Sequence, residues 1–113
     1  MDISKNILKN FTGSAPLFPL NEFVLFPLTG YTFRIFEPRY ISMIDDINNG
    51  EGFLCIAQIK NNGKNIVGID PPIYLTGTLA YLINQQHINN NEFLIQVLGI
   101  KKVQIMEAEK TNN

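Results

Sequence analysis

Few side chains in this sequence can do covalent or metal chemistry, and they are scattered. It has one histidine, His87, one cysteine, Cys55, and three serines, Ser4, Ser14 and Ser42. A hydrolytic serine needs a base and an orienting acid within hydrogen-bond reach, often on a G-x-S-x-G elbow, and none of the three has that setting. Zinc and non-haem iron sites draw on more nitrogen and sulfur ligands than one histidine and one cysteine provide. Gly63-Lys64 suggests a phosphate-binding loop only superficially. Gln58 stands where the first glycine is required and Asn65 where the hydroxyl is required. Asp45 and Asp46 are adjacent on a predicted helix and diverge, so they cannot flank one substrate atom. Lys101 and Lys102 alternate across a predicted strand and make no basic face. The residues therefore point to a non-catalytic domain without a metal or cofactor.

One charged cluster stands out in a chain that is only 17% charged. It is Glu37-Pro38-Arg39, inside IFEPRY at residues 35–40. Proline suits the first helical position, and it pushes the residue before it into extended geometry. Glu37 is thus expected to cap a helix through its carboxylate, facing the positive end of the helix dipole. Arg39 opposes that dipole and asks for a carboxylate or carbonyl partner, with Glu37 or Glu22 in reach. The cluster reads as a structural corner and, alternatively, as a direct substrate contact by Glu37 and Arg39. A second candidate is apolar. Phe26, Leu28 and Tyr31 surround the Pro27 to Gly30 turn, and an exposed aromatic turn is where a peptide contact is sought first.

The elements that must position these residues follow from periodicity. Residues 1–14 form a flexible or short helical leader, with Ile3, Ile7, Leu8 and Phe11 at helical spacing before Thr12-Gly13-Ser14. Three short apolar runs follow, PLFPL, VLFPL and YTFRIF, broken by Pro16, Pro19, Pro27 and Gly30 as strand ends or edges are. Within the third, Tyr31, Phe33 and Ile35 share one face. Tyr40, Ile41, Ile44 and Ile47 then recur at spacings of three and four, predicting an amphipathic helix that stops before Asn49-Gly50. Phe53 to Lys60 reads as a buried strand, Ile66 to Ile69 as a short one, and Ile73 to Ile83 as a long one interrupted at Gly77. His87 to Asn91 reads as a polar turn, with further strands at Glu92–Leu98 and Ile100–Met106 on either side of Gly99. The fold class is mainly β with one inserted helix. A pseudobarrel of six or seven strands closes such a set with least exposed edge. It fills residues 15–107, and 108–113 form a polar tail.

Composition narrows the partners. Nine basic against ten acidic residues leave a net charge of −1, which gives no footprint for nucleic acid or an anionic membrane. No run approaches the length of a membrane span, and the first residues lack the apolar core of a secretory signal. The lone Cys55, set in FLCIA, reads as a buried thiol in a reducing compartment. The expectation is a soluble, cytoplasmic protein. Core is expected at Phe18, Phe33, Ile35 and Leu54.

Taken in order, PLFPL at 16–20, VLFPL at 24–28, RIFEPRY at 34–40, LTGTLAYL at 75–82 and FLIQVLGIKKVQI at 93–105 resemble one family. It is the N-terminal substrate-binding domain of Lon-type ATP-dependent proteases, including stand-alone proteins built on that domain. The resemblance implies a PUA-like pseudobarrel that binds unfolded or degron-bearing polypeptides and has no catalytic activity of its own. In the proteases an ATPase module and a Ser-Lys peptidase follow the domain, and this sequence contains neither. Self-association, or docking to such a downstream ATPase module, is a structural alternative. RNA binding of the PUA type is a further one, disfavoured by the charge balance.

Overall fold

The computed structural model describes residues 3–60 and 73–106. The elements run α1 (Ile3–Leu8), β1 (Leu17–Leu20), β2 (Gly30–Ile35), α2 (Pro38–Asn49), β3 (Phe53–Ile59), β4 (Ile73–Asn89) and β5 (Glu92–Gln104). The five strands form one sheet in the order β1-β3-β4-β5-β2. The β1·β3 pair is parallel and the other three pairs are antiparallel. The sheet curls far enough for its edge strands to meet through side chains. Phe18 on β1 lies edge-on to Phe33 on β2, with ring centroids 5.2 Å apart. The result is a PUA-like half-barrel with α2 as its inserted helix.

α2 begins where the proline rule places it. Glu37 is extended, with φ −78° and ψ 134°, and Pro38 opens the first turn. The carboxylate of Glu37 makes no capping hydrogen bond, contrary to expectation. Its carbonyl accepts from the N–H groups of Tyr40 and Ile41 instead, both at 2.9 Å. Proline has already removed one first-turn donor and fixed the entry angle, so the corner holds without a side-chain cap. Met43, Ile44 and Ile47 are buried against the sheet, and Tyr40 turns edge-on to Phe18 at 4.9 Å.

β3 runs between β1 and β4, and Phe53 to Ala57 are all buried. A strand covered on both faces needs a continuous apolar run, which FLCIA supplies. Burial pushes the Cys55 thiol up to about 11, so it stays protonated and packs as a small apolar residue. Leu54, Ile56, Ala80, Ile95 and Val97 complete the core with Phe18, Leu25, Ile35 and the buried face of α2. Phe33 is only half-buried at its margin.

Five strands among the described residues replace the expected six or seven, for identifiable reasons. VLFPL is a loop. The segments on either side of Gly99 are one continuous strand, β5. The strand expected to end at Ile83 runs on to Asn89, taking in His87 to Asn89 of the expected turn, because the polar NQQHIN stretch pairs with Glu92 to Gln96 across the hairpin. His87 stacks on Phe93 there, with centroids 4.4 Å apart and planes 4° from parallel. The expected strand at 66–69 and the polar tail lie outside the described residues. At the N-terminal end, Phe11 packs edge-on against Phe53 at 5.1 Å, and the Thr12 hydroxyl donates to Glu51 at 2.9 Å.

Candidate functional site

The loop of residues 21–29 joins β1 to β2. These strands are consecutive in the chain but form opposite edges of the sheet, so the loop spans the half-barrel. Its middle residue, Leu25, is buried, and its neighbours Val24 and Phe26 are turned out. Three hydrogen bonds tie it to β4 and β5. The buried Thr78 hydroxyl of β4 donates to the Leu25 carbonyl at 2.7 Å. The Leu28 N–H donates to the Gly99 carbonyl at 2.7 Å, and the Gly99 N–H donates to the Thr29 carbonyl at 2.8 Å. Gly99 must be glycine for this seat to exist. A Cβ there would lie 2.5 Å from the Phe26 carbonyl oxygen, a backbone atom that cannot swing away.

This fixed loop presents apolar side chains to water. Phe26 is 67% exposed, Leu28 66% and Tyr31 47%. Leu28 also sits at φ 66°, in the left-handed region that a side chain with a Cβ adopts at a cost of about 1–2 kcal/mol. Behind the tip, Tyr31 is backed by aromatic rings, with Phe23 and Phe33 each 4.7 Å from it. From Phe23 to Phe33 the chain carries no charge. The surface can therefore bind apolar side chains by excluding water, each fully buried one contributing roughly 1.5–3 kcal/mol before entropy is subtracted.

Sequence reasoning expected Phe26, Leu28 and Tyr31 to be exposed, and the structure places all three in residues 26–31. It does not bring Glu37 and Arg39 to them. β2 lies between the two groups, and its six residues separate them by roughly 20 Å. The Arg39 guanidinium lies over the Tyr40 ring, 5.7 Å from its centroid. One contributor was not foreseen. Ile83 is exposed beside the loop end of β2, lining with Tyr31, Thr32 and Gln96 an open hollow of about 620 Å³. Its outward turn comes from a register shift between Leu82 and Asn84. A bulge of that kind leaves no mark in the alternation of residues. Among the described residues no group of three or more metal-ligating side chains occurs, and no helix is long and apolar enough to cross a membrane.

The model of the ATP-dependent protease La (LON) substrate-binding domain matches residues 14–113. The chain belongs to the LON substrate-binding domain family. A LON substrate-binding domain is a non-catalytic unit with a substrate-binding role in Lon proteases. Among solved structures, this LON domain is similar to a Lon N-terminal domain protein from Xanthomonas campestris, with a TM-score of 0.64 and 21% identity over 87% of this chain and 52% of that one. It is also similar to the N-terminal domain of the Mycobacterium avium complex Lon protease, with a TM-score of 0.56 and 15% identity over 87% of this chain and 57% of that one. At those identities the likeness concerns the fold. The chain spans about half the length of these relatives. No curated protein matches the sequence.

Proposed function

We propose that this LON domain captures exposed apolar segments of polypeptides through Phe26, Leu28 and Tyr31, and does so in the cytoplasm as the recognition step of ATP-dependent proteolysis. The observation that carries the reading is Leu28. A leucine kept in left-handed geometry, two-thirds exposed, beside an equally exposed phenylalanine, costs the fold free energy and contributes nothing to its core. Strain of this sort persists where the surroundings over-determine it, and here Thr78 and Gly99 do so. Glu37 and Arg39, at the far end of β2, are proposed as a second contact only for substrates long enough to run the length of that strand.

The test is the binding of a carboxymethylated, permanently unfolded polypeptide, followed by fluorescence anisotropy. Phe26→Ser combined with Leu28→Gly is expected to weaken binding at least about tenfold, the loss of one buried apolar side chain or more. Undiminished affinity in that variant, with its fold intact by circular dichroism, removes the loop from the binding surface.

A further inference from the structure

The two edges of the sheet differ in a way that bears on how a polypeptide would be held. β1 has four residues, one of which, Pro19, has no N–H to offer. Short length and proline are the ordinary means of blunting a strand edge. β2 has six residues and no proline. Its single charge, Arg34, is engaged in an ion pair with Glu92. That side chain therefore does not defend the edge as a free charge would.

The backbone of β2 can be divided into its two sides. The bond from the Gly99 N–H to the Thr29 carbonyl puts Thr29 among the residues that exchange hydrogen bonds with β5. Register is unbroken from Gly30↔Leu98 to Ile35↔Phe93, so Tyr31, Phe33 and Ile35 belong to the same class. The N–H and C=O groups of Gly30, Thr32 and Arg34 then point away from the sheet. Among the described residues β2 has no sheet neighbour but β5, and no backbone hydrogen bond from a loop or turn reaches these groups. Across the seam the sheet is closed by rings, Phe18 against Phe33 and Phe23 against Tyr31 and Phe33, and not by a ladder.

We infer that the outer edge of β2 takes up an extended polypeptide segment as an added strand, with main-chain hydrogen bonds to Gly30, Thr32 and Arg34. The alternating outward donors and acceptors fit a β-strand and nothing more compact. Uncharged segments fit best, because the stretch from Phe23 to Phe33 is neutral and Arg34 is already paired. The loop tip lies at one end of the edge and the exposed Phe36 at the other. Side-chain capture by Phe26 and Leu28 would thus lead the segment onto the edge. This rests on the polypeptide-binding role proposed above, and specifies backbone recognition as its mode.

Two probes test it with the whole chain. The first is a fluorescein-labelled peptide of alternating valine and threonine flanked by lysines, compared with the same peptide N-methylated at every second amide. N-methylation on the bonding side is expected to weaken binding at least about tenfold, the loss expected for two or three backbone hydrogen bonds, while methylation of the other set leaves it unchanged. The second is Thr32→Pro, which removes one outward donor and no bond to β5. It is expected to weaken the unmethylated peptide and the one methylated away from the bonding side alike, and to leave thermal unfolding near that of the parent. Equal binding of all three peptides overturns the inference and leaves the loop reading standing. No binding of any peptide or of the unfolded polypeptide overturns both. A sedimentation mass of two chains that Thr32→Pro returns to one shows the edge to be filled by a second copy, and also overturns it.

Discussion

The two ends of β2 drew attention in the sequence for opposite reasons, and the structure separates them. At its start, the 21–29 loop is apolar, exposed and strained, and it is fixed by partners more than fifty residues away, Thr78 and Gly99. At its end, the Glu37-Pro38-Arg39 corner is charged and unstrained, and its shape follows from proline and a backbone carbonyl next door. Charge made the corner conspicuous, yet its geometry has a complete local explanation. The loop has only a short turn of its own, in which the Thr29 N–H and hydroxyl donate to the Phe26 carbonyl, and its seating comes from across the sheet. Exposed apolar side chains held out on so fixed a loop are the better sign of function, because the core uses Leu25 and has no need of Phe26 or Leu28.

Substitutions can break or sharpen this contrast. The largest effect is expected from Gly99→Ala. Its methyl group meets the Phe26 carbonyl oxygen at 2.5 Å and Leu25 Cγ at 3.3 Å, so the loop must leave its seat, at a cost of about 3 kcal/mol in thermal or urea unfolding. Retention of parental stability would show that the loop is not bolted to β5. Leu28→Gly comes next and should act in the opposite direction. Relief of the left-handed strain outweighs the added freedom of the unfolded chain, giving a net gain of about 0.5 kcal/mol while polypeptide binding falls. A loss of stability would mean that Leu28 serves the fold. At the corner, Glu37→Ala should cost under about 0.5 kcal/mol, where a true side-chain cap costs about 1 kcal/mol. A larger loss would restore the carboxylate as a cap.

The smallest effect concerns pH. Hydrogen bonding from Arg34 holds the Glu92 carboxyl below the usual carboxylate range, partly offset by burial and helped by Asn89. A carboxyl with a depressed folded pKa contributes stability above its unfolded value, near 4.3, and loses it as pH falls through the folded value. Glu92→Gln should therefore flatten the acid limb of the stability profile slightly. Arg34 is exposed, and solvent keeps the contribution small. An unchanged acid limb would mean that the pair does not tie β2 to the β4–β5 hairpin in solution.

Elements whose residues answer to neighbours in sequence could be read in advance. α2 could be foreseen from the spacing of Tyr40, Ile44 and Ile47 and from Pro38. β3 announced itself as an unbroken apolar run, and β2 as an alternation with Ile35 inward. The misreadings share one cause. VLFPL has the composition of a strand, but Leu28 in left-handed geometry and a Leu25 carbonyl taken by Thr78 make it a loop. His87 to Asn89 have the composition of a turn, but pairing with β5 makes them strand. Gly99 looked like a break, and it is instead the place where β5 lets another chain segment pass. In each case a partner distant in sequence overrode local preference. The apolar half of the candidate site was legible because exposed aromatics around a Pro-Gly turn are unusual. Ile83 was not, because a bulge decided its direction.

The strand order has a further consequence for how the molecule is built. Among the described residues β1 pairs only with β3 and β2 only with β5, so both wait for partners that come later in the chain. β4 and β5, joined by the two residues Asn90 and Asn91, need little loop closure and are suited to forming first. Pulse-labelled hydrogen exchange should accordingly protect β4 and β5 before the amides of residues 28–35. During synthesis the run PLFPLNEFVLFPL emerges well ahead of the strand that seats it. Until Gly99 has left the ribosome, a domain proposed to capture exposed apolar chain is itself an exposed apolar chain.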